Sequence, residues 1–146
     1  MNTKVILLVE DTASDIGLTQ RALKKNGIVN KVVVAEDGQE ALDYLYCAGA
    51  HTERDASEMP VLILLDLKLP RIDGFGVLRR IREDSRTRRI PVVILTSSNE
   101  RRDVTSGYDL GTNSYIRKPI DFHEFTELIR QLGLYWLVTN EPPPTD

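Results

Sequence analysis

Four short aliphatic runs constrain the fold of this chain more than any other feature of its sequence. They lie at 4–9, 31–35, 61–65 and 91–95, are rich in Val, Ile and Leu, and show no alternation of apolar with polar residues. Strands of that composition are buried on both faces, which is typical of the central strands of a parallel sheet. A weaker fifth strand fits 113–117.

The segments between these runs carry apolar residues at helical spacing, such as Leu78 with Ile81. Asp121 is placed to cap the last helix. The stripe of that helix is the clearest in the chain and consists of Phe122, Phe125, Ile129 and Leu132. Five strand–helix units predict a doubly wound α/β domain with a parallel sheet.

Two segments depart from this repeat. The polar stretch 48–59 is long for a helix-to-strand connection, and we expect a flexible excursion there. An apolar cluster at 134–138 is followed by three prolines, which stop any helix. That cluster needs a covering surface, supplied either by its own domain or by another chain. We therefore predict a domain at 1–134 and a tail at 135–146.

Composition bounds the function. The length of 146 residues and the 41% apolar share suit one domain with a real core. The net charge of −3, without a basic block, argues against a nucleic-acid or anionic-membrane surface. No segment is long enough for a membrane span or typical of a signal peptide, so we expect a cytoplasmic protein. The single cysteine excludes an internal disulfide.

Polar residues follow the ends of several predicted strands. Glu10 and Asp11 end the first strand, Asp66 the third and Thr96 the fourth, and Lys118 follows the fifth. In an open parallel sheet, ligands bind outside the carboxyl ends of the strands, so these side chains should converge. Carboxylates brought together either raise a pKa or hold a cation, and hard oxygen ligands favour Mg²⁺. Each residue alone fits a turn, a cap or a surface charge, but the joint pattern indicates a site.

The stretches "LLVEDTASD", "LLDLKLPRIDG", "VILTSS" and "SYIRKPID" resemble the response regulator receiver domains of two-component signalling. The resemblance runs from about residue 4 to residue 133. It implies a flavodoxin-like (βα)5 fold with strand order 2-1-3-4-5. It also implies a switch that accepts a phosphoryl group from a histidine kinase, in place of a turnover enzyme.

The resemblance assigns chemical roles to five residues. Asp66 is the expected phosphoacceptor, and Lys118 is expected to pair with a phosphoryl oxygen. Magnesium would be held by Asp11 and Asp66, by Glu10 largely through water, and by the backbone carbonyl of Lys68. The protein would assist its own phosphorylation and a slow self-hydrolysis.

The resemblance also assigns switch residues. Thr96 is similar to the hydroxyl that moves to a phosphoryl oxygen, and Tyr115 to the aromatic ring that turns inward when it does. In the family, Pro119 follows a cis peptide. The helix near 99–107 has few apolar anchors, and we expect it to shift on phosphorylation.

The long loop, "SYIRKPIDF" and the tail resemble the stand-alone receivers that serve bacterial phytochromes, which are often dimeric. This narrower resemblance implies a phytochrome-type kinase as partner and makes Tyr135 and Trp136 candidate dimer contacts.

Rival functions were weighed against particular residues. A phosphatase of the haloacid dehalogenase type needs a second aspartate two residues after the nucleophile, where this chain has Lys68. A flavodoxin- or Rossmann-type nucleotide module needs glycines after the first strand, where this chain has "EDTASD". A receiver-like scaffold that is never phosphorylated and a phosphoryl sink or relay both stay open.

Overall fold

Five strands alternate with five α-helices in residues 4–144, the part of the chain that the computed structural model describes. The strands are β1 Val5–Val9, β2 Lys31–Ala35, β3 Leu62–Leu65, β4 Val92–Thr96 and β5 Ser114–Arg117. The helices are α1 Ala13–Lys25, α2 Gly38–Leu45, α3 Gly74–Glu83, α4 Arg101–Asp109 and α5 Phe122–Gly133. All strands pair in parallel in the order 2-1-3-4-5. The predicted doubly wound fold is confirmed, with strand bounds within one residue of those expected.

The sheet separates the core into two layers because successive side chains of a strand point to opposite faces. One face packs against α2 and α3, and the other packs against α1 and α5. On β1 and β3 the first face carries Leu7, Val9, Ile63 and Leu65, and the second carries Ile6, Leu8, Leu62 and Leu64. Burial on both faces explains why these strands contain no polar alternation.

Helix α5 is firmly held. Asp121 caps it as predicted, accepting hydrogen bonds from the backbone N–H of His123 at 2.7 Å and of Glu124 at 3.4 Å. Of the predicted stripe, three residues are buried and Phe122 is partly buried. The Asn26 side chain donates to the carbonyl of Thr126 at 3.0 Å, which ties the end of α1 to α5.

Helix α4 is held much less firmly. Gly107 is its only buried residue, and Glu100 at its N-cap position makes no capping hydrogen bond through its side chain. Just beyond its C-terminal end, the guanidinium of Arg82 donates to the carbonyl of Gly111 at 2.8 Å. The sparse anchoring expected for this helix is therefore present.

The stretch 48–59 differs from the flexible excursion that was expected. Arg54 donates hydrogen bonds to the carbonyls of Tyr44 at 2.7 Å, Leu45 at 3.1 Å and Glu58 at 2.5 Å. Its guanidinium also lies 4.4 Å from the centre of the Tyr44 ring. This one side chain organises the loop, a role that polar composition alone does not reveal.

The tail continues α5 without a break, as a π-helical segment over Leu134–Thr139. Trp136 and Leu137 pack against the α1–α5 side of the core. Tyr135 and Val138 are 50% and 74% exposed. Its own domain therefore covers part of the cluster and leaves Tyr135 and Val138 exposed. None of the helices within residues 4–144 combines the length and apolar character that a membrane span requires.

Candidate functional site

Lys118 lies at the centre of a cluster of carboxylates at the carboxyl edge of the sheet. Its ammonium group donates to the carboxylate of Glu10, to Asp66 at 3.2 Å and to Asp15 at 3.2 Å. Only 11% of the Lys118 side chain is exposed. The ends of β1, β3 and β5 and the first turn of α1 thus meet at one ammonium group.

Glu10, Asp11 and Asp66 form a second, overlapping group. One carboxylate oxygen from each lies within 4.8 Å of the others. Glu10 is buried, Asp66 is partly buried and Asp11 is exposed, so the group opens to solvent on one side. One ammonium cannot balance this many carboxylates. A set of hard oxygen ligands with excess negative charge and an open side fits a divalent cation that keeps some of its waters.

The electrostatics of the site agree with an excess of negative charge. The pKa of Glu10 is raised to about 7, mainly by burial and also by the charge of Asp66, against the opposing hydrogen bond and charge of Lys118. Burial disfavours the charged form of Lys118, but its contacts with Glu10, Asp66 and Asp15 outweigh burial and leave its pKa raised. Lys118 is therefore a fixed positive charge, and burial disfavours the ionised form of Glu10.

The backbone fixes Asp66 tightly. Its N–H donates to the carbonyl of Val9 at 3.1 Å, and the N–H of Leu67 donates to its Oδ1 at 2.7 Å. Gly74 begins α3 directly beside it, where a Cβ atom would lie 2.3 Å from the Asp66 carbonyl oxygen. Only glycine allows this close approach. The remaining carboxylate oxygen, Oδ2, faces Lys118.

The two predicted switch residues meet the loop between β4 and α4. Thr96 is fully buried, and the N–H of Ser98 lies 3.4 Å from its hydroxyl oxygen. The Tyr115 hydroxyl donates to the carbonyl of Ser98 at 3.0 Å. The Thr96 carbonyl accepts a hydrogen bond from the N–H of Lys118 at 2.7 Å, which connects this loop to the carboxylate cluster.

Sequence reasoning missed Asp15 and Ser98. Asp15 looks like an ordinary acid favoured by the dipole of α1, although its spacing of four residues from Asp11 is a signal that could have found it. Ser98 carried no signal beyond its position near Thr96.

One predicted feature is wrong. Every peptide bond between residues 4 and 144 is trans, including the one before Pro119. The trans form is favoured for X–Pro by about 0.5–1 kcal/mol. With it, Lys118 still reaches Glu10 and Asp66. The Lys68 side chain is exposed, and the metal-binding role of its carbonyl stays a prediction.

Comparisons with known proteins agree with this geometry. A family model described as "Response regulator receiver domain" matches residues 6–130. Response regulator Rcp1 from Synechocystis sp. is 39% identical over 136 residues, which cover 93% of this chain and 90% of that protein. The crystal structure of the Mn(2+)-bound form of Rcp1 superposes with a TM-score of 0.87 at 37% identity, covering 97% of this chain and 99% of that one.

Two further structures are similar over almost their whole length. The phosphorylated cyanobacterial phytochrome response regulator RcpA has a TM-score of 0.90 at 38% identity, covering 98% of this chain and 100% of that one. The bacteriophytochrome response regulator RtBRR has a TM-score of 0.79 at 47% identity, covering 99% of this chain and 86% of that one.

Proposed function

This chain belongs to the response regulator receiver domain family of two-component signalling, and we propose that Asp66 is the residue on which it accepts a phosphoryl group from a partner histidine kinase. The observation that carries the proposal is the contact of Lys118 with Asp66 Oδ2 at 3.2 Å, beside the Glu10–Asp11–Asp66 group. A nucleophilic carboxylate, a fixed ammonium and a set of metal-type ligands thus lie together.

The proposed reaction is a single displacement at phosphorus. An Asp66 carboxylate oxygen forms a bond to phosphorus while the phosphorus–nitrogen bond to the kinase histidine breaks, which leaves an acyl phosphate. Lys118 stabilises charge on one phosphoryl oxygen, and the buried Thr96 hydroxyl donates to another. The protein is then a switch that assists its own phosphorylation and slow self-hydrolysis.

We assign the metal site to Glu10, Asp11, Asp66 and the Lys68 carbonyl, with Mg²⁺ as the natural ion. Glu10, Asp11 and Asp66 would supply the carboxylate oxygens that hold a divalent cation, and the cation would offset the charge of the incoming phosphoryl group. Glu10, whose pKa burial raises to about 7, carries the charge that most needs such compensation. The similarity to Rcp1, which has been crystallised in an Mn(2+)-bound form, supports a divalent ion as the ligand of this group.

The proposed partner is a kinase of the phytochrome type. Support comes from RcpA and RtBRR, whose descriptions name them as phytochrome and bacteriophytochrome response regulators. Phosphotransfer from such a kinase to the wild-type protein, compared with a sensor kinase of another class, measures this preference. Equal rates from both kinases would contradict it.

The tail is proposed as a dimer arm through Tyr135, which is 50% exposed and lies beside the exposed Leu134 and Val138. Trp136 packs on its own domain, so its part in a dimer is to support Tyr135, whose ring it meets edge-on at 4.9 Å. Sedimentation of the wild type and Tyr135→Ser, with and without phosphorylation, tests this. A wild-type monomer at micromolar concentration in both states would contradict the arm.

The experiment for the main proposal is intact-protein mass after incubation with acetyl phosphate and Mg²⁺. We expect the wild type to gain one phosphoryl group, and Asp66→Asn and a wild-type sample with EDTA to gain none. Asp37→Asn is the matched control. Asp37 also follows a strand but caps α2, accepting from Glu40 N–H at 2.7 Å, and asparagine is an equally good cap.

The control separates a specific site from general phosphorylation of aspartates, because Asp37→Asn should gain the phosphoryl group like the wild type. A folded wild type that gains nothing would overturn the proposal and favour a receiver-like scaffold. Rapid transfer from the phosphorylated protein back to a histidine phosphotransfer partner, without any new contact, would favour a phosphoryl sink or relay.

A further inference from the structure

Ser98 is a buried serine that makes a side-chain contact with α4. It is 8% exposed, and its hydroxyl donates to the carboxylate of Asp103 at 2.6 Å. The backbone N–H of Glu100 approaches the same hydroxyl oxygen at 3.4 Å. Asp103 lies in the first turn of α4, so this contact joins the loop after β4 to the start of the helix. A hydrogen bond to a charged acceptor at this distance belongs to the stronger class.

The contact matters because so little else holds this end of the helix. The N-cap residue, Glu100, makes no capping hydrogen bond through its side chain. Gly107 packs against Ile94 and Tyr115 further along, where an added Cβ atom would lie 2.9 Å from Ile94 Cδ1. Arg82 acts only beyond the C-terminal end. Of the side-chain hydrogen bonds in residues 4–144, Ser98–Asp103 alone joins the first turn of α4 to the neighbouring loop.

The backbone of Ser98 contacts both of the predicted switch residues. Its N–H lies 3.4 Å from the Thr96 hydroxyl oxygen, and its carbonyl accepts from Tyr115. A displacement of Thr96 therefore acts on Ser98 within two residues of chain. The side chain of Ser98 then passes the displacement to Asp103.

We propose that Ser98 is a positioning residue whose side-chain hydrogen bond to Asp103 couples the first turn of α4 to the phosphorylation site. The proposal rests on phosphorylation of Asp66 as the function of the domain. Before phosphorylation the bond keeps the first turn against the loop. When Thr96 turns toward the phosphoryl group, the bond makes the first turn follow the loop instead of fraying away from it.

A double-mutant cycle measures this bond in the full chain. Hydrogen exchange of the peptide covering 99–109 is followed by mass spectrometry in the wild type, Ser98→Ala, Asp103→Ala and the double variant. Both single variants should exchange this peptide roughly ten-fold faster, as expected for loss of a hydrogen bond to a charged group. The double variant should add nothing, because all three variants lack the same bond.

Ser98→Thr keeps a hydroxyl and should restore most of the wild-type protection. Ser97→Ala is the matched control, because Ser97 is the exposed neighbour of Ser98, and it should leave exchange of this peptide unchanged in the unphosphorylated protein. Exchange of the β1 and β3 peptides in each variant reports whether the whole domain has been destabilised instead.

The same samples are then treated with acetyl phosphate and Mg²⁺, and intact mass gives the phosphorylated fraction. Per phosphoryl group gained, the change in exchange at 99–109 should be large in the wild type and Ser98→Thr and small in Ser98→Ala. Two results would overturn the proposed role of Ser98 while leaving the proposed function intact. One is additive effects of Ser98→Ala and Asp103→Ala on exchange, and the other is a change on phosphorylation in Ser98→Ala as large as that in the wild type. A folded wild type that gains no phosphoryl group would overturn the proposed function, and the coupling with it.

Discussion

Helices α4 and α5 flank β5 on opposite faces of the sheet and are held in opposite ways. Helix α5 buries Phe125, Ile129 and Leu132 and is capped by Asp121. Helix α4 buries only Gly107 and has no side-chain cap. Few buried apolar contacts and an uncapped end mean a low free energy of local opening. We therefore expect a change near Thr96 to move α4 before it moves α5.

The two ends of α4 also differ in how firmly side-chain hydrogen bonds hold them. Beyond its C-terminal end, Arg82 donates to the carbonyls of Gly111 and Ile90 and to Asn113 Oδ1, each at 2.8 Å. At its N-terminal end the Ser98–Asp103 hydrogen bond is accompanied by an exposed ion pair between Arg102 and Glu100. The end of α4 nearer Thr96 therefore has fewer side-chain hydrogen bonds, and we expect the helix to move about its other end.

The largest expected effect is the loss of apolar packing in α5. Ile129→Ala removes a fully buried side chain and should lower the free energy of unfolding by about 2–5 kcal/mol. Val104→Ala, on a half-buried position of α4, should cost less than about 1 kcal/mol. Urea denaturation monitored by circular dichroism measures both. Equal losses in the free energy of unfolding would contradict the conclusion that α5 is packed more firmly than α4.

A smaller effect is expected at the C-terminal anchor of α4. Arg82→Lys keeps the charge but cannot reproduce the fork of donors, and should cost about 1–3 kcal/mol. Arg79→Lys is the matched control, because Arg79 lies at an exposed position of α3, the helix that also carries Arg82. This variant should be close to neutral. The same denaturation measurement applies. If Arg82→Lys lowered the free energy of unfolding no more than Arg79→Lys, the hydrogen bonds of Arg82 would not stabilise this end of α4.

The smallest effect concerns the caps. Asp121→Ala should cost about 1 kcal/mol, because it removes the acceptor for two backbone N–H groups at the start of α5. Glu100→Ala should stay within about 0.5 kcal/mol, since its side chain makes no capping hydrogen bond and its ion pair with Arg102 is exposed. Thermal unfolding of the two variants side by side separates them. A larger loss from Glu100→Ala would mean that α4 is capped after all.

The sequence predicted the strands and α5 well because burial on both faces and a helical stripe are local patterns. It also located Glu10, Asp66, Thr96 and Lys118, since the carboxyl ends of parallel strands share one edge. Asp15 reaches Lys118 across 103 positions of chain, and its spacing of four residues from Asp11 was the one local signal for that contact.

Three other features also depended on tertiary packing. The order of the 48–59 loop depends on where the guanidinium of Arg54 points. Which side chains of the tail are buried depends on the face of the tail that packs against α1 and α5. The Ser98–Asp103 bond depends on the turn between β4 and α4. In each case the residue type allowed both an exposed and a packed conformation, and packing selected one.

Whether phosphorylation of Asp66 moves α4 and leaves α5 in place is tested most directly by hydrogen exchange. Exchange of the wild type is measured before and after phosphorylation by acetyl phosphate, with Asp66→Asn treated in parallel. We expect phosphorylation to change hydrogen exchange in the peptide covering α4 and to change it little in the peptide covering α5. In Asp66→Asn we expect no change in either peptide. An equal or larger change in α5, or a change in α4 that persists in Asp66→Asn, would contradict this expectation.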